Sequence, residues 1–260
     1  MSTLISSPQN LKIKDLIVLE TESRERKARG LFVVEGRREF ERALAAGFEA
    51  VTVFVREGED ASLADGADFL VTDRVYERIA MRSGTEGIVA IFKMKEARLD
   101  GLTLSPAPLI LVLERVEKPG NLGAVLRSAD AAGVDAVLVC DPLTDLYNPN
   151  LIRASLGAVF TVPVVSCTSE EAQAFLSAHG IAILTAQLQD SELYYQTDMT
   201  RPVALVFGAE DKGLSDSWRE KADAHIRIPM AGMMDSLNVS VSAAILAFEA
   251  VRQRSEKKGL

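Results

Sequence analysis

Three short segments combine residue types and spacings suited to chemistry on a bound ligand. The first runs from Glu114-Arg115-Val116-Glu117-Lys118-Pro119-Gly120-Asn121 through Leu122-Gly123 to Arg127-Ser128-Ala129. Asn121 suits a helix N-cap. Arg127 follows on the second turn, and its long side chain can still reach the strand ends. The second segment is Phe207-Gly208-Ala209-Glu210-Asp211-Lys212-Gly213-Leu214. Glycines bracketing a carboxylate let a backbone approach a ligand closely, and their N–H groups can read an adenine or ribose edge. The third is Ile228-Pro229-Met230, a loop, then Ser236-Leu237-Asn238-Val239-Ser240-Val241-Ser242. Ser236 and Asn238 both suit an N-cap, and the exposed N–H groups of a first helical turn can orient a ligand. No segment carries a dinucleotide fingerprint or a P-loop, so the ligand need not bear a diphosphate. Each segment alone also reads as a plain cap, loop or helix start. All three in order, each at the end of a strand, are far more specific.

Those strands belong to a region read as α/β. Leu109 to Leu113 is a continuous apolar strand of the kind covered by helices on both faces. A helix over Leu122 to Ala132 is stopped by Gly133. There follow a strand at Ala136 to Cys140, a helix near Pro149 to Leu156, a strand at Thr161 to Val165, a helix at Glu170 to His179 and a strand at Ile181 to Thr185. Strands at Val203 to Phe207 and His225 to Pro229 precede a long amphipathic helix from Leu237 to Arg254. In open parallel sheets, ligands bind at the C-terminal ends of the strands, where all three segments fall.

The first hundred residues read as a smaller α/β unit. Its helices are expected at Lys12 to Ala28, Arg37 to Ala46 and Arg74 to Met81. Its strands are expected at Leu31 to Val34, Ala50 to Val55, Phe69 to Val71 and Ile88 to Phe92. The prolines Pro106 and Pro108 mark residues 97–108 as a linker. The expected organisation is therefore domain 1–96, linker 97–108 and domain 109–260.

The chain has 260 residues and 48% apolar content, enough for a sizeable core. No apolar run reaches the roughly 20 residues of a membrane helix, and no secretory signal opens the chain. Two cysteines, Cys140 and Cys167, are too few for a disulfide framework and read as buried thiols. A soluble cytoplasmic protein without a metal centre is expected. The net charge of −8 argues against indiscriminate coating of nucleic acid but leaves room for a local basic patch. Arg24, Arg26, Lys27, Arg29, Arg37 and Arg38 form such a cluster, either a solvated face or an RNA-contacting edge.

The three segments resemble motifs 1, 2 and 3 of the SpoU-type RNA 2′-O-ribose methyltransferases of the SPOUT superfamily. Asn-x-Gly-x-x-x-Arg-Ser-Ala, Gly-x-Glu-x-x-Gly-Leu and Ile-Pro-Met-x-Gly-x-x-x-Ser-Leu-Asn-Val-Ser-Val carry the likeness. The N-terminal part is similar to the substrate-binding domain of many members, through Lys12-Ile13-Lys14-Asp15-Leu16 and Phe32-Val33-Val34-Glu35-Gly36. The resemblance implies S-adenosylmethionine as methyl donor, a homodimer, and a deep trefoil knot in the C-terminal parallel-sheet domain. It assigns the cofactor pocket to Phe207, Gly208, Ile228, Met230 and Leu237. Catalysis falls to Arg127, with Asn121, Glu210, Ser236 and Asn238 positioning it or the ribose. Met233, Met234 and Asp235 depart from the small polar residues frequent in that loop.

Attack by a ribose 2′-oxygen requires loss of a hydroxyl proton. A free guanidinium holds its proton far above neutral pH, so stripping one at pH 7 costs on the order of 9 kcal/mol. A charged Arg127 that anchors phosphate and polarises the hydroxyl is thus favoured over Arg127 as the base. The expected substrate is a structured RNA, ribosomal rather than transfer RNA. A non-catalytic RNA-binding relative would have lost Asn121, Arg127 or Asn238. A dinucleotide-dependent dehydrogenase would need a glycine-rich turn that is absent.

Overall fold

The structure is a computed structural model and describes residues 3–60, 62, 66–81 and 86–259. It divides into two compact units, Met1–Glu96 with Asp145–Thr161, and Ala97–Thr144 with Val162–Leu260. Among the described residues, no helix is long and apolar enough to cross a membrane.

The first unit holds a mixed five-stranded sheet of β1 (Thr3–Ile5), β2 (Leu31–Glu35), β3 (Ala50–Arg56), β4 (Phe69–Val71) and β5 (Ile88–Lys93), in the order β1-β4-β3-β5-β2. β5 pairs antiparallel with both β2 and β3, while β1 and β3 run parallel to β4. The single helix expected over Lys12 to Ala28 is two helices, Leu11–Thr21 and Ser23–Arg29, separated by an extended Glu22. The break has a physical cause. Arg26 turns its guanidinium back onto the carbonyls of Leu19 and Glu20, at 2.8 and 3.0 Å, satisfying last-turn acceptors that a helix leaves open.

Asp145–Thr161, expected within the C-terminal domain, belongs instead to this unit. Asp145 pairs with Arg26 at 2.7 Å, with side chains only 7% and 2% exposed. Tyr147 stacks on Phe32 at 4.4 Å between centroids, and Phe160 packs edge-on against Phe48 at 5.1 Å. These aromatic contacts give the segment an apolar anchor in the N-terminal core. It forms short helices at Pro149–Ala154 and Ala158–Thr161, so the strand expected from Thr161 begins only at Val164.

The second unit is built on a seven-stranded, all-parallel sheet. Its strands are β6 (Leu109–Glu114), β7 (Ala136–Cys140), β8 (Val164–Cys167), β9 (Ala182–Ala186), β10 (Glu192–Leu193), β11 (Val203–Phe207) and β12 (Ala224–Arg227). The order is β10-β12-β9-β11-β6-β7-β8. Every residue of β6, β7 and β11 is buried, which explains their unbroken apolar runs. The sheet grows outward from β6 to β8 and then resumes with β9 on the other side, so a crevice opens at the strand ends near β11. The expected linker is part of this unit. Leu99, Leu102 and Leu104 pack on its core, and Asp135 accepts from the backbone N–H groups of Ser105 and Leu109 at 2.7 and 2.8 Å.

Two helices frame the crevice. One spans Pro119–Ala132 with Lys118, not Asn121, at its N-cap; Pro119 opens it because proline needs no N–H partner there. The other spans Val239–Lys258 and is capped by Asn238. Its Ala243, Leu246, Ala247 and Ala250 are buried, whereas Val241 and Phe248 on another face remain 45% and 47% exposed. This helix is therefore apolar on two faces rather than simply amphipathic.

Candidate active site

At the end of β11 the chain reverses through Gly208 to Gly213. Gly213 donates its N–H to the Ala209 carbonyl at 2.9 Å and adopts φ +65°. The turn closes so tightly that a Cβ on Gly208 would lie 2.2 Å from the Gly213 carbonyl carbon and 2.4 Å from the Leu214 nitrogen. The demand for glycine at 208 thus comes from the protein's own backbone. A bulkier residue there would open the turn, a requirement additional to the close ligand approach expected from sequence.

This turn, the residues after β12 and the start of the Val239–Lys258 helix wall a cleft of about 590 Å³. Such a volume suits a small-molecule ligand. Phe207, Gly208, Glu210, Ile228, Met230, Ser236, Leu237 and Asn238 all line it. Eight of the residues singled out in motifs 2 and 3 therefore share one wall. Phe207, Ile226, Ile228 and Leu246 make part of that wall apolar, as a flat heterocycle requires.

The polar residues form a connected chain beside the cleft. Because Lys118 caps its helix by backbone position alone, Asn121 sits one turn in with its amide unspent. That amide donates to Glu210, and its oxygen accepts from Asn238 Nδ2 at 3.2 Å. The other end of Asn238 accepts from Ser240 N and Ser240 Oγ at 2.9 and 2.7 Å, capping the long helix. Glu210 also accepts from Lys118 Nζ. That carboxylate holds the Lys118 ammonium above the usual lysine range. One carboxylate, two amides and one ammonium thus lock the three loops together. Ser236 lines the cleft but does not cap the helix.

Arg127 stands apart. It is exposed on the Pro119–Ala132 helix and is not among the cleft-lining residues. Six residues of helix rotate it by about 120° from Asn121 and carry it about 9 Å along the axis. In the second unit Cys140 and Cys167 lie 3.9 Å apart on neighbouring strands, both free; Cys140 is buried as expected, whereas Cys167 at the end of the edge strand is only half-buried.

The basic cluster of the first unit is also divided. Arg26 is buried and committed to Asp145, so it is removed from any RNA-contacting edge. Arg29 holds Asp15 in a two-point contact at 2.6 and 2.9 Å. Arg37 pairs with Glu41 and Arg38 with Glu39. Arg24 and Lys27 are exposed.

Three further residues enter the site. Lys118 was visible within the first motif without a role. Gln187 lines the cleft just past β9, a strand end that carries no motif, and Arg219 reaches it from the Asp216–Glu220 helix. The side chain of each of the latter two has a buried atom without a hydrogen-bond partner, Gln187 Oε1 and Arg219 Nε. A cleft with an apolar wall and unsatisfied polar atoms fits a ligand such as S-adenosylmethionine, which joins a heterocycle to a polar tail.

The SpoU rRNA Methylase family matches residues 108–248, and the MRM3-like substrate binding domain matches residues 10–90. The chain is 30% identical, over 94% of its length and 97% of the relative's, to the 23S rRNA (guanosine(2553)-2'-O)-methyltransferase RlmP of Bacillus subtilis. A crystal structure of an RNA 2'-O ribose methyltransferase superimposes with a TM-score of 0.85 at 41% identity, covering 97% of this chain and 99% of the other. An AdoMet-bound rRNA methyltransferase from Sinorhizobium meliloti does so with a TM-score of 0.89 at 29% identity, over 96% and 98%. With motifs 2 and 3 on one cleft and motif 1 joined to them through Asn121, the chain belongs to the SpoU rRNA methylase family.

Proposed function

We propose that this protein transfers a methyl group from S-adenosylmethionine to the ribose 2′-hydroxyl of a guanosine in 23S ribosomal RNA. The observation that carries the reading is the convergence of Gly208, Ile228 and Leu237 on one cleft, with the Asn121–Glu210–Asn238 chain beside it. The substrate follows the Bacillus subtilis relative, whose name specifies a guanosine of 23S rRNA.

The bound cofactor supplies an electrophilic methyl group on a sulfonium. The chain's own residues do the rest. Phe207, Ile228, Met230 and Leu237 exclude water from the nucleoside half. Glu210 fixes the Asn121 amide, which orients the ribose with Asn238 and Ser236. Arg127 stays charged, clamps a substrate phosphate and polarises the 2′-hydroxyl; as the O–CH3 bond forms and the S–CH3 bond breaks to give S-adenosylhomocysteine, the hydroxyl proton passes late to water. Because Arg127 lies outside the cleft of its own chain, we assign the working enzyme as a homodimer in which a second copy completes the site. The exposed Val241 and Phe248 on the Val239–Lys258 helix supply an apolar surface for that pairing. The resemblance of motifs 2 and 3 further supports a trefoil knot around the cleft.

The N-terminal unit holds the RNA. Arg24 and Lys27 are available for phosphates, and Arg37 can exchange its exposed ion pair with Glu41, worth about 1 kcal/mol or less, for a phosphate contact; Arg38 is held by the buried carboxylate of Glu39. Arg26 is excluded. The test maps ribose methylation in cells with and without the gene. One 23S guanosine should lose its 2′-O-methyl group and regain it with the wild-type gene but not with Arg127→Ala. An unchanged 23S pattern, with a methyl group lost from transfer RNA, would overturn the substrate assignment.

A further inference from the structure

Among the described residues of the second unit, two buried side-chain atoms lack a hydrogen-bond partner, and both belong to residues in the wall of the cleft. Gln187 follows β9, and its backbone N–H is pinned to the Ile226 carbonyl at 3.0 Å. Its Nε2 donates to the Gln189 carbonyl at 2.9 Å, which sets the amide's orientation and leaves Oε1 as the unsatisfied acceptor. Arg219 extends from its short helix until the guanidinium lies beside the glycine turn, with Nη2 3.7 Å from where a Gly213 Cβ would stand. Its Nε–H is the unsatisfied donor. Burying such atoms without partners is costly, most of all on a cation, so each calls for a partner from solvent or from a ligand in the cleft.

We propose that Arg219 binds the carboxylate of the cofactor's amino-acid tail and that Gln187 Oε1 accepts from an N–H or O–H of the same molecule. This rests on the reading of the cleft as the S-adenosylmethionine site. The carboxylate is the only anionic group on that cofactor, and a guanidinium–carboxylate contact is the strongest pairing open to Arg219. Motif resemblance assigns neither residue. The other arginine lining the cleft, Arg227, already reaches the Ser191 hydroxyl.

Calorimetric titration with two product-like ligands tests the proposal. S-Adenosylhomocysteine keeps the amino-acid tail, and 5′-methylthioadenosine lacks it. Arg219→Gln should weaken S-adenosylhomocysteine at least tenfold and methylthioadenosine less than threefold. Arg219→Lys, which keeps the charge if Gln impairs folding, should show the same selective loss in milder form because it lacks the planar fork. Gln187→Met, similar in volume but without the acceptor, should weaken at least one of the two ligands fivefold or more. Equal losses for both ligands in the Arg219 variants, or unchanged affinity, would overturn the carboxylate assignment. Unchanged affinity in Gln187→Met would overturn that contact. Wild-type protein that binds neither ligand would remove the cofactor reading itself, a result distinct from any confined to the variants.

Discussion

Arg26 in the N-terminal unit and Arg127 in the C-terminal unit place one residue type in opposite environments. Arg26 is 2% exposed and spends its guanidinium on Asp145 and on two helix-end carbonyls. Arg127 is exposed on a helix whose cap and first turn are held by other residues. The first is a structural tie within a unit. The second is available to a substrate. A run of basic residues therefore says little about function until the partners of each are known. A surface cation becomes informative when a neighbouring network has already made every structural bond around it.

The sharpest way to break the comparison is to remove each arginine. Arg26→Ala leaves Asp145 buried without its cation and should cost about 3–5 kcal/mol of stability, read by chemical denaturation, with Lys27→Ala within about 0.5 kcal/mol of wild type. Equal small effects would mean that Arg26 is not the tie. Arg127→Ala should reverse the pattern, lowering methyl transfer about 10²–10³-fold with unfolding and cofactor affinity nearly unchanged. Arg127→Lys should fail at every pH, because a clamp needs the fork; activity recovered at high pH would make Arg127 a base instead.

A third measurement concerns Glu20, whose buried side chain lies near Glu35 and Arg78. Burial, with repulsion from Glu35, lifts its carboxyl from 4.5 to about 8, and its Oε1 has no hydrogen-bond partner. The folded state then binds the extra proton between those two values, so its stability falls as pH rises from about 4.5 to 8. Glu20→Gln should remove that slope and raise stability at pH 8 by on the order of 1–2 kcal/mol, with little gain at pH 4.5. Melting curves across the range that superimpose on wild type would deny the shift.

The smallest effect separates exposed from committed cations. Arg24→Glu and Lys27→Glu should each weaken RNA binding and reduce its salt slope by about 0.7–0.9, the share of one phosphate contact. Arg29→Glu should do less to RNA, since Asp15 already holds that side chain. Salt slopes identical to wild type in the first two would leave the cluster as a solvated face.

Much of the second unit was legible from sequence for a local reason. Continuous apolar runs mark doubly covered strands, and the bounds of β7 and β11 match the expected Ala136 to Cys140 and Val203 to Phe207. The site residues stood out because close turns and helix starts constrain residue type over a few positions. Legibility ended where a partner distant in sequence intervened. Arg26 folds back on the break at Glu22 while paired to Asp145, 119 residues away, and Asn121, left free by the capping of the Pro119–Ala132 helix at Lys118, meets Glu210, 89 residues away.

The sequence by itself determined most of the strands, though not the short β1 and β10, along with the motif residues and their arrival at strand ends, since each follows from backbone rules acting over short stretches. Only the tertiary structure decided which arginine is buried, that Asp145–Thr161 completes the N-terminal core, and that Gly208 is required by the Gly213–Leu214 backbone. Only it exposed the unsatisfied atoms of Gln187 and Arg219 in the cleft wall. Those outcomes depend on which groups meet in space, and a charge or an amide has no fixed role until its partners, or their absence, are set by packing.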